Sequence, residues 1–159
     1  MNLQKKVLRS QARYTTSLNR HSIIGSWRLL SCKHLRADGI VEYPFGLNPE
    51  GRLVYLRDGK MIVLITDPAR HQFRSGQFFE ATDHELANAA RGCVAYSGQW
   101  KIRENEVVHD IGQSLFPNWK KKSLARVFRI DNMRLILTTA PSVIRGMEHT
   151  ATLVWEKEV

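Results

Sequence analysis

The sequence predicts an all-β protein: a closed, eight-stranded antiparallel meander barrel with one short helix near a barrel mouth and a basic N-terminal arm. Three observations predict it. From Ser22 onward the chain breaks into about eight short, β-prone apolar runs. Several are joined by turns of two to four residues, which make neighbours in sequence antiparallel neighbours in space. A long meander must also hide its two edge strands, and closure into a barrel removes both. Eight strands leave an interior wide enough for side chains and one small ligand.

Residues 1–21 form the arm and residues 22–159 the barrel domain. The arm carries Lys5, Lys6, Arg9, Arg13 and Arg20 and no acid, so it holds five of the nine excess positive charges. Leu3, Val7, Leu8 and Leu18 give it a weak helical stripe. Such a start fits an organelle transit peptide or, more plainly, a short solvated arm at a domain end. The first strand spans Trp27 to His34 and is bounded by Gly25 and Asp38-Gly39. Leu53 to Leu56 and Met61 to Ile65 flank Arg57-Asp58-Gly59-Lys60, and Asp-Gly is a strong hairpin signal because both central residues must tolerate positive φ. Thr82-Asp83-His84-Glu85 reads as a capping box. It opens a helix of two to three turns that Gly92 stops in a left-handed turn. The remaining strands are Val94 to Ile102, Val107 to Leu115, Leu124 to Ile130, Leu135 to Thr139 and His149 to Glu156.

The composition, 43% hydrophobic and 25% charged, is that of a soluble globular domain. The longest apolar run, Met61 to Ile65, falls far short of the roughly 20 residues of a membrane-spanning helix. Cys32 and Cys93 form no C-x-x-C pair and read as two small buried residues in a reducing, cytoplasmic setting. The net charge of +9 raises the question of nucleic acid. The strands lack the regular interleaving of basic and aromatic residues that single-strand binders use, which makes that partner the weakest of three readings.

Gly25-Ser26-Trp27 opens the first strand, with Gly allowing a tight entry and Trp closing the floor. Then come Tyr43-Pro44-Phe45-Gly46, Gly51-Arg52-Leu53-Val54-Tyr55, Asp58-Gly59-Lys60-Met61, Phe73-Arg74-Ser75-Gly76 and Ala95-Tyr96-Ser97-Gly98. After them stand Ser114-Leu115-Phe116-Pro117-Asn118-Trp119, Leu135-Ile136-Leu137-Thr138-Thr139 and Leu153-Val154-Trp155-Glu156. In this order, from about Ile23 to Lys157, they resemble the small lipocalin-like domain family of bacteria and fungi, a calycin-type barrel. The resemblance implies an eight-stranded barrel with a central pocket and no settled activity. Some members stand alone and others accompany enzymes of natural-product biosynthesis, where such barrels act as cyclases or isomerases. The arm and Lys120-Lys121-Lys122 depart from the family pattern and leave room for a surface role.

Catalytic motifs are scarce. No H-E-x-x-H, G-x-S-x-G or phosphate loop occurs, and none of the six histidines pairs with another at ligand spacing. No cofactor or metal is expected. His109 and Asp110 are adjacent on a strand and point to opposite faces, so only one can look inward. His109 is the best acid/base candidate, with a solvent-facing or neighbour-bonded histidine as the alternative. Tyr96 joins it as a catalytic candidate, and Tyr55 as a donor to a ligand carbonyl or enol. Trp100 shares a face with Tyr96. Phe116, Asn118 and Trp119 form a rim suited to gripping an entering ligand, or a stiff turn after Pro117. Arg126 and Arg129 face oppositely, and one of them could neutralise an acidic ligand head. Trp27 and Trp155 meet at the barrel seam as core. Two functions follow: a binder of a small apolar or amphipathic molecule, as a monomer or homodimer, or a cofactor-independent cyclase or isomerase acting through His109 and Tyr96.

Overall fold

A computed structural model describes residues 21–159. All of the basic arm but its last residue therefore lies outside the described residues. A helical turn at residues 21–23 leads into ten strands: β1 (Gly25–Arg36), β2 (Val41–Glu42), β3 (Glu50–Tyr55), β4 (Lys60–Thr66), β5 (Cys93–Arg103), β6 (Glu106–Ser114), β7 (Ser123–Asp131), β8 (Arg134–Thr139), β9 (Ser142–Ile144) and β10 (Met147–Lys157). One helix, α1 (Asp83–Arg91), interrupts them between β4 and β5.

The strands form one antiparallel sheet in the order β2-β1-β3-β4-β5-β6-β7-β8-β10-β9, and β1 pairs with β10 to close it. Eight long strands make the barrel. The two further strands, β2 and β9, are short additions that pair with β1 and β10 beyond the eight expected. Their brevity explains why no apolar run announces them.

Pleating turns alternate residues inward. In β4, Met61, Val63 and Ile65 are buried while Ile62 and Leu64 are exposed. The inward sets of all the long strands merge into one core that includes Trp27, Leu53, Tyr55, Val107, Leu135 and Trp155. Trp27 and Trp155 do lie on the paired first and last strands, two register positions apart on one face.

The barrel has two unlike ends. At one, tight turns join β3 to β4, β5 to β6 and β7 to β8. At the other, the connections are long: 37–49, 67–92, 115–122 and 140–146. Two local expectations are corrected here. In the β3–β4 turn only Gly59 takes positive φ (88°), and Asp58 instead accepts a hydrogen bond from the Lys60 amide. Gly92 ends α1 at φ −89°, not in the left-handed region. A Cβ there would come within 2.7 Å of the Arg70 side chain, which would have to shift to admit it.

Candidate functional site

A cavity of about 560 Å³ opens at the end with the long connections. Phe45, Trp119, Pro141 and Ile144 stand around its mouth, and Leu53, Val63, Leu137, Leu153 and Trp155 line its walls. No aspartate or glutamate lines it.

Along one wall runs a continuous column of rings. Phe116 meets Trp119 at 5.6 Å between centroids, and Trp119 meets Tyr96 at 5.7 Å. Tyr96 meets His109 at 5.8 Å, His109 meets Tyr55 at 5.5 Å, and Tyr55 meets Trp100 at 5.0 Å. The column joins rim to floor. β5 supplies Tyr96 and Trp100 from one face, β6 places His109 directly opposite Trp100, and β3 brings Tyr55 across the interior.

His109 is the centre of a hydrogen-bonded trio. Its Nε2 lies 2.6 Å from the Tyr55 hydroxyl and its Nδ1 2.9 Å from the Tyr96 hydroxyl. The imidazole is 1% exposed. Burial, and then the nearby Arg126 guanidinium, push its pKa well below the usual value, so it is neutral at pH 7. Burial likewise raises both phenols, so neither tyrosine ionises near neutrality. Asp110 turns outward, where it takes Lys101 and Ser123. Arg126 faces inward from β7, with its guanidinium carbon 5.9 Å from the Tyr96 ring centroid, whereas Arg129 is exposed.

The structure therefore brings together Tyr55, Tyr96, Trp100, His109, Phe116, Trp119 and Arg126. Of these, Tyr96, His109, Trp119 and Arg126 line the cavity. Tyr55 and Trp100 stand behind His109, and the Trp100 indole donates to the Leu56 carbonyl. Phe116 and Asn118 are exposed on the rim and do not line the cavity.

Other lining residues went unmarked in the sequence. His34 lines the cavity, 6.3 Å from the His149 ring, and burial followed by His149 lowers its pKa. Cys32 also lines it, and burial pushes its thiol up to about 11, which makes it a poor nucleophile. Cys93, expected to be buried, is half-buried, and both thiols are free. Trp155 belongs to the core, as expected, and also forms part of the cavity wall. The alternation of Leu153 and Trp155 on the closing strand was the available signal.

Among the described residues, no group of three His, Cys, Asp or Glu side chains could hold a metal ion. None of their helices is long and apolar enough to cross a membrane. What the arrangement offers is an apolar enclosure, a cation and several hydrogen-bond donors.

A closed β-barrel with a mouth at one end and a polar column on one inner wall defines a class of small-molecule-binding barrels. The chain belongs to the lipocalin-like domain family, whose model matches residues 24–158. It is 33% identical over 106 residues to the 4'-hydroxy-3'-methoxypropiophenone carrier protein ppsC of Aspergillus oryzae, a match that covers 61% of this chain and 96% of that protein. Two solved structures share less. An uncharacterized protein from Bacteroides eggerthii has a TM-score of 0.44 at 12% identity, covering 86% of this chain and 99% of its own. A mutant of the fluorescent protein UnaG has a TM-score of 0.38 at 14% identity, covering 86% and 96%. Nothing about function follows from either structure.

Proposed function

We propose that this protein is a carrier that holds one small, largely apolar, oxygen-bearing molecule inside its barrel. The observation that carries the reading is the cavity: apolar walls, a few polar groups on one side, and a mouth between long connections. That is how sites for small organic molecules are built, with apolar area supplying affinity and a few polar groups fixing orientation. The relative named as a carrier of an aryl ketone supports the same class of cargo. The ring column offers edges and faces against which an aromatic cargo would pack.

A second reading, a cyclase or isomerase, draws on one observation. A neutral imidazole buried between two phenols is a group able to give and take protons beside a bound molecule. Holding a flexible substrate in a reactive shape would supply the rest.

One experiment separates them. The purified protein is incubated, far below ligand concentration, with the small-molecule extract of its own cells, and mass spectrometry reads the bound and free pools. The carrier reading expects one compound retained at one per protein and an unchanged free pool. Growth of an isomer of equal mass well beyond the amount of protein would replace the carrier with an isomerase. Retention of nothing would remove both.

A further inference from the structure

Among the described residues, one permanent charge faces the cavity and no carboxylate lines it. Arg126 is half-buried, faces the interior and, among the described residues, is the only permanently charged side chain lining the cavity. On the outer faces several cations pair with carboxylates, among them Arg28 with Glu156, Arg52 with Glu158, Lys101 with Asp110 and Arg103 with Glu106, while other lysines and arginines stand in open solvent. Among the described residues, no carboxylate lies within 4.0 Å of Arg126. Its one contact with a carbonyl acceptor is long, 3.4 Å to Leu124, and the His109 Nδ1 atom lies 3.5 Å away. A guanidinium has five N–H donors in a fixed fork. Most of that capacity is unused, and a cation drawn partly out of water without a counter-ion is costly.

Counting protons on the histidine trio points the same way. Two phenols and one neutral imidazole carry three protons, but the two contacts to the ring consume two of them. One hydroxyl proton is left over. Tyr55 stands behind His109, is fully buried and does not line this cavity, whereas Tyr96 does. The satisfied arrangement has Tyr55 donating to Nε2 and Nδ1–H donating to the Tyr96 oxygen. The Tyr96 hydroxyl then donates into the cavity, beside the Arg126 guanidinium. A third donor adds to this. Trp155 is 1% exposed and lines the cavity, and its indole Nε1 has no hydrogen-bond partner among the described residues.

We infer that the cargo is an organic anion, a carboxylate or an ionised phenol or enol, whose charged oxygen lies against Arg126 and Tyr96 while its apolar body fills the cavity. This deepens the carrier reading and rests on it. Charge-assisted bonds from a guanidinium to an oxyanion are the strong ones. They would make acidic cargo preferred over its neutral analogue, as a site of hydrogen-bond donors rejects a molecule that lacks the acceptor.

The test uses a matched pair of fluorescent probes, 8-anilinonaphthalene-1-sulfonate and N-phenyl-1-naphthylamine, which differ by one sulfonate. Each is titrated at physiological salt into the wild-type protein and into Arg126→Met, Arg126→Lys and Tyr96→Phe. The wild type is expected to prefer the sulfonate by about tenfold, the worth of one charge-assisted hydrogen bond. Arg126→Met is expected to erase that preference, Arg126→Lys to keep part of it, and Tyr96→Phe to reduce it a few-fold. Thermal melts and near-ultraviolet circular dichroism of all three variants show that the barrel is intact, and the ratio of the two probe affinities is the quantity read. If the wild type takes both probes equally, or if the preference survives in Arg126→Met, the anion assignment fails while the carrier reading stands. If the wild type takes up neither probe, the carrier reading fails and this inference goes with it.

Discussion

The two ends of the barrel do different work. The end with tight turns is sealed: Ile23, Trp27, Leu53 and Leu135 are 0% exposed there, and the Trp27 indole donates to the Ile23 carbonyl at 2.8 Å. The Trp100 indole ties the floor to the β3–β4 turn through Leu56. The other end spreads apolar side chains into water. Phe79 is 97% exposed, Val143 72% and Leu47 69%. Packing that holds the fold is thus concentrated away from the mouth. The column from Trp100 to Trp119 is the physical link between these ends.

The comparison would break most visibly at Trp27. Trp27→Ala is expected to cost about 3–5 kcal/mol, because it empties a fully buried site and strips the Ile23 carbonyl of its donor. Denaturant unfolding measures it, and the same change at Phe79 should move stability by less than about 0.5 kcal/mol. Equal costs at the two residues would mean that the ends are not energetically distinct.

Next in size is Gly98, on β5 opposite a bulge in β6. The register skips Gly112 there, and a Cβ on Gly98 would sit 2.1 Å from the Asp110 carbonyl oxygen. Backbone, unlike a flexible side chain, cannot swing aside. Gly98→Ala should destabilise by roughly 1–3 kcal/mol. It should also disturb His109, the neighbour of Asp110, so the signal would reach the site and lower neutral-probe affinity. Full stability in that variant would show that β6 yields more readily than its bulge implies.

What was legible in the sequence follows the same division. At the sealed end, Asp58-Gly59 marks a turn by residue type, and the apolar run Met61 to Ile65 marks the strand that follows it. The opposed faces of His109 and Asp110, and of Arg126 and Arg129, followed from the two-residue strand period alone. At the open end the signals fail. Asn118 and Phe116 looked like grips on the cargo, yet they stand outside the cavity, because where a rim residue points is set by loop conformation. The strands β2 and β9 are two and three residues long, too short to register as a pattern. His34 and Trp155 were missed as lining residues for another reason: whether an inward side chain meets packing or empty space depends on the whole circle of strands.

A smaller effect tests the column itself. His109 is held neutral by burial and by Arg126, between Tyr55 and Tyr96, so its folded pKa lies well below its unfolded value near 6.5. Below pH 6.5 the unfolded chain takes up a proton that the folded chain refuses. Stability is therefore complete above about pH 6.5 and declines as pH falls, by up to about 1.4 kcal/mol per pH unit from this group. His34, lowered in the same direction, adds to the decline. His109→Gln should flatten the slope between pH 6.5 and 5, read by thermal melts across that range. An unchanged slope would assign the acid sensitivity elsewhere.

The smallest expected effect bears on the open end alone. α1 begins in a capping box: Thr82 accepts from the Glu85 amide, and Glu85 accepts from the Thr82 amide. Glu85 also accepts from the Arg74 amide at 2.8 Å, and these backbone donors hold its carboxyl down at about 2. The box therefore pins the helix to the preceding loop. No residue of α1 lines the cavity. Thr82→Ala should loosen the helix by about 1 kcal/mol, seen as faster amide exchange in residues 83–91. It should leave global unfolding and probe affinity nearly unchanged. If affinity moved with helix exchange, α1 would belong to the working mouth, and the division between a rigid floor and a permissive rim would have to be redrawn around it.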